Sequence, residues 1–432
     1  MPRTLLKDVR ILDPATASDA VGHIVLEDGR IDSVQTGDAP TGCPREIDGS
    51  GQWVFPGLVD MHVHLRQPGG DEAETLESGL RAAIAGGVTA VGMMPNTDPP
   101  LDSEEVLAPL LEKAEDLGLA RVCPIPCVSM GRQGREPVDY EALHALGATA
   151  FSDDGSPVWN GALLREALRR TSAFGGMVVE HPELPSLTQG GSLDEGPVAE
   201  KLEVGGIPCQ AETGDVARCL EVARGTGGRL HLTHLSCTRS VALVDSSRSE
   251  EAGFRATCDV TPHHLALNSE EPLAAGPMAK MNPPLRSEEM RQGLVRHVAR
   301  GRVDCLASDH APHASARKSL PMARAAFGIT GLETLLPVSL AVLGGEGMMT
   351  PLAVISLLCT APARLLGLEP PRLESGAPAN LVLFDPDREY TLSDVGTFSK
   401  SMNTPFMGRV LHGRVRAVWR ERLLYMDGSF VE

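Results

Sequence analysis

The sequence predicts an α/β protein: a (β/α)8 barrel with a small β-sandwich domain built from both ends of the chain. From Val59 onward, eight short apolar strands alternate with segments of helical periodicity over roughly 260 residues, the size and rhythm of such a barrel. Both ends of the chain, in contrast, are rich in short strands alone. We therefore expect residues 56–371 to form a catalytic barrel, and residues 1–55 and 372–432 to form one composite sandwich.

Short strands bounded by turn residues predict the sandwich. Asp28-Gly29 separates two apolar segments and is typical of a two-residue hairpin turn. The predicted strands of this domain are 5–11, 23–27, 30–34, 380–384, 410–411, 415–419 and 423–425.

The barrel elements follow from hydrophobic periodicity. Most predicted strands end in a loop that carries histidine, aspartate or asparagine. The predicted strands begin at residues 59, 89, 121, 148, 177, 230, 255 and 303. The predicted helices are 104–117, 140–146, 163–174, 216–224, 290–300, 331–343 and 352–366.

Composition excludes several classes of function. The net charge of −18, from 39 basic and 57 acidic residues, argues against nucleic acid or an anionic membrane surface as a partner. No apolar run approaches the roughly 20 residues of a membrane span. Nine scattered cysteines form no disulfide or zinc-ribbon pattern, and with no secretion signal at the start they predict a reducing, cytoplasmic location.

The first barrel strand carries the pair His62-Val63-His64. Side chains alternate between the faces of a strand, so both imidazoles are expected on one face, together with Asp60 and Arg66. An isolated His-x-His pair is more often incidental than functional. Its position at the end of a barrel strand, where such folds place their active sites, favours a metal site instead.

Further strand ends supply further ligands. Four imidazoles and two carboxylates suit zinc, and six ligands are enough for two ions that share a bridge. A two-metal site activates water, so hydrolysis or its reverse is expected. The candidates are His62, His64, Asp153 or Asp154, His181, His234 and Asp309.

As a set, eight motifs resemble dihydroorotase of the longer bacterial type, in the same order from about residue 4 to 426. The resemblance implies an amidohydrolase barrel that cyclises N-carbamoyl-L-aspartate reversibly to (S)-dihydroorotate in pyrimidine (UMP) biosynthesis. Zinc-held hydroxide and an aspartate acid/base would do the chemistry. The motifs are DMHVHLR at 60–66, MPNT at 94–97, FSDDG at 151–155, VTPHHL at 260–265, KMNPPLR at 280–286, SDHAPH at 308–313, FGITGLE at 327–333 and KSMNTPF at 400–406.

The resemblance also assigns roles to metal ligands. His62, His64 and Asp309 would bind one zinc, His181 and His234 the other, and Asp154 would bridge them. One or two ions per subunit fit these ligands, and two are favoured. Asp309 would also move the proton.

Substrate contacts are implied in the same way. Arg66, Asn96 and His313 match contacts to the substrate carboxylate, and a planar guanidinium can hold a carboxylate at two points. The contacts to the rest of the substrate would come from His64, Asn282, Phe327 and Gly328. His263, His264 and His310 are expected to have structural roles.

Two alternatives stay open. Hydantoinases and allantoinases hydrolyse similar rings, but many bridge their metals with a carboxylated lysine, and this chain has no lysine between Lys113 and Lys201. A non-catalytic relative that serves as a scaffold for aspartate transcarbamoylase would be expected to have lost ligands. Beyond the small-molecule substrate, a homodimer and a complex with aspartate transcarbamoylase are both open.

Overall fold

A computed structural model describes residues 3–250 and 254–431. It contains eight parallel barrel strands and a nine-stranded sheet drawn from both ends of the chain. The strands are β1 Thr4–Asp13, β2 Ser18–Glu27, β3 Arg30–Gln35, β4 Arg45–Asp48, β5 Trp53–Pro56, β6 Leu58–Val63, β7 Val88–Met93, β8 Arg121–Pro124, β9 Ala150–Phe151, β10 Met177–Glu180, β11 Gly191–Asp194, β12 Gly205–Ile207, β13 Arg229–Leu232, β14 Arg255–Val260, β15 Cys305–Leu306, β16 Asn380–Tyr390, β17 Leu411–Arg420, β18 Arg422–Met426 and β19 Ser429–Phe430.

The barrel consists of β6-β7-β8 and β9-β10-β13-β14-β15, all in parallel. The two sheets join where the Ser152 amide donates to the Pro126 carbonyl (2.9 Å). They join again where the His64 amide donates to the His310 carbonyl (2.9 Å). The predicted barrel fold is therefore confirmed, and the same hydrogen bonds bring the ends of the first and last strands together.

Helices surround the barrel and follow its strands. Several begin at side-chain caps, as where Thr75 accepts from the Ser78 amide and Asn160 accepts from the first turn of its helix. The helices are α1 Leu76–Ala85, α2 Glu104–Leu117, α3 Tyr140–Ala145, α4 Gly161–Ser172, α5 Pro185–Thr188, α6 Pro197–Lys201, α7 Cys209–Ala223, α8 Thr238–Glu250, α9 Pro262–Ala266, α10 Pro272–Ala275, α11 Glu288–Ala299, α12 Ser315–Lys318, α13 Leu335–Gly344, α14 Pro351–Leu358, α15 Thr360–Leu365 and α16 Leu392–Val395. Within the described residues, no helix is both long enough and apolar enough to cross a membrane.

Two apolar layers hold the barrel together. Val59, Met61, Ile125 and Val179 belong to a compact buried cluster of barrel-strand residues. Leu58 and Val63 belong instead to the larger cluster that includes the surrounding helices. Because the β6–β7 pairing is irregular between Asp60 and Val63, β6 does not alternate strictly to its end.

The terminal sheet joins the two ends of the chain directly. β16 pairs antiparallel with β5, with Leu381 opposite Pro56, and the sheet runs β19-β18-β17-β16-β5-β1-β2-β3, with β4 beside β1. Its core includes Leu6, Ile24 and Trp419. The turn at Asp28-Gly29 has positive φ at both residues (47° and 78°), as a two-residue hairpin requires.

The elements differ from the sequence prediction in several places, and α1 and α8, for example, were not predicted. Residues 352–366 form two helices that break at Cys359, because Pro362 has no amide hydrogen to donate to the preceding turn. The segment between β10 and α7 contains α5, α6 and the β11–β12 pair, none of which was predicted. The first barrel strand ends at Val63, so His64 and Arg66 lie in the loop that follows it.

Candidate metal and substrate site

The six predicted ligands converge at the carboxyl ends of the barrel strands. All six side chains are buried. They come from the ends of the first, fourth, fifth, sixth and eighth strands, which are far apart in sequence but meet at one end of a barrel. We call His62, His64 and Asp309 the first half-site, and His181 and His234 the second half-site.

In the first half-site both imidazoles present Nε2 to a shared carboxylate. Asp309 Oδ1 lies 3.5 Å from His62 Nε2 and 3.1 Å from His64 Nε2. The second half-site is equally tight, since His181 Nδ1 lies 3.0 Å from His234 Nε2.

Asp154 lies between the half-sites. Its Oδ1 is 3.5 Å from His62 Nε2, 3.6 Å from His181 Nδ1 and 3.7 Å from His234 Nε2. Its Oδ2 is 3.5 Å from His64 Nε2. The carboxylate therefore faces both half-sites, which is the position that a bridging ligand needs.

Asp153, the sequence neighbour, has a different environment. Its carboxylate accepts hydrogen bonds from the Val128 amide (2.9 Å), the Ser129 amide (3.0 Å) and the Ser129 hydroxyl. These contacts fix the loop after β8. Geometry thus separates two aspartates whose positions in the sequence differ by one residue.

The donor atoms fit a metal ion rather than one another. His62 Nε2 and Asp154 Oδ1 are buried and have no hydrogen-bond partner, although they face each other. Buried polar atoms are rarely left in this way unless an ion or water satisfies them. Two overlapping groups, His62-His64-Asp309 and His62-Asp154-His234, each bring their ligand atoms within 4.8 Å of one another. Imidazole nitrogen and carboxylate oxygen are the ligands that zinc prefers outside thiolate sites.

The electrostatics of the site also favour positive charge. Burial would raise the pKa of Asp154, but His62, His181 and His234 lower it well below its usual range. Burial likewise opposes protonation of His62, yet the Asp154 and Asp309 carboxylates raise its pKa to about 9. A cavity that charges an imidazole despite burial is one that stabilises a bound cation.

Hydrogen bonds outside the site decide which imidazole nitrogen faces inward in the first half-site. Thr233 donates its hydroxyl hydrogen to Asp259 (2.8 Å), so its oxygen accepts from Nδ1 of His62 (2.8 Å). Asn96 Oδ1 accepts from Nδ1 of His64 (2.7 Å). In the neutral imidazole both arrangements place the hydrogen on Nδ1 and leave Nε2 available to a metal ion. Asn96, which was predicted to contact the substrate carboxylate, is hydrogen-bonded to the ring of the candidate ligand His64.

The second half-site is oriented by a carboxylate. Glu183 Oε2 accepts from Nε2 of His181 (3.1 Å) and from the Asn282 amide (2.6 Å). Sequence reasoning missed Glu183, Thr233 and Asp259. The spacing in His181-Pro182-Glu183 was a signal for the first of these, because a carboxylate two residues beyond a ligand can reach its ring.

Cationic and polar groups gather beside the first half-site. Arg66 donates from Nε to the Pro312 carbonyl (3.0 Å), and its terminal nitrogen lies 3.5 Å from His313 Nε2. His313 also lies beside the Phe327 carbonyl (2.5 Å). A Cβ on Gly328 would lie 2.6 Å from the Ala311 side chain, so only glycine lets this backbone approach. Arg66 and His313, predicted to bind the carboxylate, are thus adjacent, with the backbone at Phe327 and Gly328 next to them, whereas Asn282 lies beside Glu183.

Asn403 connects the loop that contains Ala311 and His313 to Gly328. From the sequence it was identified only as part of the motif at 400–406. Its amide donates to the carbonyls of Ala311 (3.0 Å) and Gly328 (3.1 Å), and its oxygen accepts from the His313 amide (3.0 Å). Lys318, buried nearby, donates to the Gly328 carbonyl (2.9 Å).

Three site residues adopt backbone conformations that L residues rarely take. The φ angles are 59° at Arg66, 39° at His234 and 46° at Asp309. Each costs on the order of 1–2 kcal/mol, and such strain collects at functional sites.

His264, His310 and Lys113 have their hydrogen-bond partners outside the six candidate ligands. His264 contacts the Thr261 hydroxyl (2.7 Å) and the Pro283 carbonyl (2.9 Å), and His310 lies beside Glu74 (3.3 Å). Lys113 donates to the Gln67 side chain (2.9 Å) and is exposed. At the carboxyl end of β9 the acidic side chain that faces the histidines is Asp154.

The sequence is similar to known proteins of one family. Residues 51–240 match the family described as dihydro-orotase-like. The chain is 41% identical over 423 residues to a dihydroorotase of Anaeromyxobacter sp. (strain K), covering 97% of both chains. It is 37% identical over 430 residues to a dihydroorotase of Aquifex aeolicus (strain VF5), covering 99% of this chain and 100% of that one.

Solved structures share the fold at lower identity. An L-hydantoinase (dihydropyrimidinase) from Arthrobacter aurescens superposes with a TM-score of 0.87 at 23% identity, covering 100% of this chain and 98% of that chain. A D-hydantoinase gives 0.82 at 22% identity, covering 99% of this chain and 96% of that chain. These structures show a barrel with a sheet domain built from the termini.

Proposed function

The chain belongs to the dihydroorotase family, and on that premise we propose that it interconverts N-carbamoyl-L-aspartate and (S)-dihydroorotate in pyrimidine biosynthesis. The observation that carries the proposal is the convergence of four imidazoles and two carboxylates beside the Arg66–His313 pair. The first set suits metal-assisted attack at an amide carbonyl, and the second suits an anionic substrate.

We further propose that the bound metal is zinc, with two ions favoured. His62, His64 and Asp309 would hold one ion, His181 and His234 the other, and Asp154 would contact both. When bound, the ions supply Lewis acidity and lower the pKa of water at the site.

Asp309 is the proposed acid/base. Its carboxylate lies beside both imidazoles of the first half-site, and they hold its pKa below the usual range although burial acts to raise it. It is therefore ionised and ready to accept a proton. In the hydrolytic direction Asp309 takes the proton from the attacking water and delivers it to the leaving ring nitrogen. Ring closure is the microscopic reverse, with Asp309 removing the proton from the carbamoyl nitrogen.

Arg66 and His313 are proposed to bind the substrate carboxylate. Arg66 is partly buried, and its pKa falls to about 10 mainly because of desolvation, so it stays charged at neutral pH. A partly desolvated guanidinium attracts an anion, and its planar fork fixes the orientation of the ring. Asn96, Asn282 and the backbone at Phe327 and Gly328 complete the proposed substrate contacts.

The experiment is an ultraviolet assay of ring opening by the purified, zinc-loaded protein. Turnover of dihydroorotate but not of hydantoin or dihydrouracil is expected, because the acidic residue facing the histidines at the end of β9 is Asp154 rather than a carboxylated lysine. Turnover of hydantoin alone would favour the hydantoinase alternative. No turnover with metal bound would favour the scaffold alternative.

A pair of variants tests carboxylate recognition. Arg66→Gln should lower kcat/KM for dihydroorotate roughly 10- to 150-fold, as expected for a lost charge-assisted hydrogen bond worth ~1.5–3 kcal/mol. Arg81→Gln is the matched control, since Arg81 lies exposed on α1 and pairs with Glu77 (2.9 Å). Equal losses in the two variants would remove the carboxylate role.

Three further expectations accompany the function as proposals. We place the protein in the cytoplasm. We retain the division of the chain at residues 55/56 and 371/372. A homodimer and a complex with aspartate transcarbamoylase are tested by sedimentation with and without the transcarbamoylase.

A further inference from the structure

Two cysteines outside the proposed chemistry lie against each other. Cys209 is the first residue of α7, and Cys237 lies in the segment that follows His234. Their sulfur atoms are 2.7 Å apart, with Cys237 as donor, whereas Cys209 Sγ lies 3.4 Å from the Met290 sulfur. The contact is thus much closer than the neighbouring sulfur contact, and only a small shift separates it from a bond of about 2.05 Å.

The two cysteines differ in access. Cys209 is the one cysteine of the nine that is partly exposed, while Cys237 is buried, only 1% exposed. A solvent-accessible thiol next to a buried one is the arrangement in which the first is oxidised and the second then closes the disulfide.

The surroundings favour thiolate at Cys209. The hydrogen bond from Cys237 lowers the pKa of the Cys209 thiol, burial opposes this, and the Arg286 guanidinium adds to the lowering. Burial raises the pKa of Cys237. Cys209 also stands at the start of a 15-residue helix, whose amino end favours negative charge.

The segment with Cys237 is already fixed to α7. Glu212, in the first turn of α7, accepts from the amides of Ser236 (3.0 Å) and Cys237 (3.0 Å). Arg286 donates to the Ser236 hydroxyl (3.0 Å) from the other side. The backbone around Cys237 is therefore held against the start of α7, which keeps the two sulfur atoms in contact.

We propose that Cys209 and Cys237 form a peroxide-reactive dithiol that closes reversibly to a disulfide between α7 and the segment after His234. The Cys209 thiolate attacks a hydroperoxide oxygen, the O–O bond breaks, and the released oxygen leaves as water or alcohol. The Cys237 sulfur then attacks the sulfenic sulfur of Cys209, the S–O bond breaks, and hydroxide leaves with the Cys237 proton as water. The two sulfurs lose two electrons, and the peroxide gains them. This modification does not depend on the proposed catalytic activity.

Peptide mass spectrometry of the full-length protein tests the proposal. After limited hydrogen peroxide, trypsin should yield peptide 202–218 joined to peptide 230–239, two hydrogens lighter than the separate peptides and released by dithiothreitol. Each of these peptides contains one cysteine, so the link is unambiguous. Oxidation should also raise the Tm by several degrees, since the bond closes a loop of about 29 residues.

Variants separate the two roles. Cys237→Ser should leave Cys209 reactive, so it proceeds to sulfinic acid instead of a crosslink, while Cys209→Ser should form neither product. Cys43→Ser, in the terminal sheet domain, is the control and should crosslink like the unchanged protein. The proposal is overturned if both thiols stay titratable after peroxide, or if Cys209 reaches sulfinic acid equally fast with and without Cys237.

Discussion

Both half-sites present imidazole nitrogens, Nε2 of His62 and His64 in the first and Nδ1 of His181 with Nε2 of His234 in the second, but different chemistry orients the rings. In the first half-site, His62 and His64 donate to neutral oxygens of Thr233 and Asn96. In the second half-site, His181 donates to the Glu183 carboxylate, which is half-buried on the loop after β10. Nδ1 of His234 is buried without a hydrogen-bond partner.

This difference predicts which residues set the metal affinity of each half-site. A carboxylate behind an imidazole increases its basicity and its attraction for a cation, whereas a hydroxyl or amide mainly fixes the ring. The pKa values of His181 and His64 show this contrast, whereas Asp154 and Asp309 raise the pKa of His62 in the first half-site as well. Burial opposes protonation of His181, but Asp154 and Glu183 raise its pKa to about 10, while burial lowers the pKa of His64. We expect the second half-site to depend on one charged residue and the first on a rigid neutral network.

Removing the proton carrier should have the largest effect. Asp309→Asn keeps the size of the side chain but cannot accept a proton, so kcat should fall by about 10²–10⁴-fold. Circular dichroism and metal analysis should show a folded protein with the second half-site still occupied. Near-normal turnover would refute the proton role and would leave Asp309 as a ligand alone.

Removing the Asp154 carboxylate should weaken zinc binding at both half-sites. Asp154→Ala is expected to lower zinc content at both, because its two oxygens face all four histidines. Asp153→Ala is the matched variant. It should retain zinc but lose ~1–3 kcal/mol of stability, since three donors in the loop after β8 lose their acceptor. Metal analysis and denaturant unfolding measure the two effects, and the reverse ranking would exchange the roles of the two aspartates.

The sequence predicted the residues that face the site better than the residues that orient them through hydrogen bonds. The convergence of candidate ligands such as His181 and Asp309 could be predicted because they follow apolar strands of a recognisable barrel, where all strand ends meet. Thr233 and Asp259 could not, since their pairing joins the sixth and seventh strands through side chains and leaves no periodic trace. The alternation argument for β6 placed His62 and His64 together correctly. However, it did not foresee the irregular pairing that ends the strand at Val63.

Removing the negative charge of Glu183 should weaken zinc binding at the second half-site alone. Glu183→Gln removes the carboxylate behind His181, and a lost support of this kind typically costs 10–100-fold in metal affinity. At limiting zinc the variant should therefore bind about one equivalent fewer than the unchanged protein. Glu195→Gln is the control, because Glu195 is exposed and lies in the same segment between β10 and α7. Unchanged stoichiometry in Glu183→Gln would mean that the half-sites do not differ in this respect.

The smallest effect is expected from the neutral support. Thr233→Val keeps the shape of the side chain but removes the hydroxyl between His62 and Asp259. The lost hydrogen bond is worth a net ~0.5–1.5 kcal/mol, which corresponds to a roughly 2- to 13-fold loss of zinc affinity at the first half-site. Thr257→Val is a close control, since Thr257 also contacts a histidine, His231 (2.8 Å), that does not face the site. Competition with a zinc-binding dye measures both variants. If Thr233→Val weakens binding more than Glu183→Gln does, the neutral network rather than the carboxylate sets the affinity, and the contrast between the half-sites is reversed.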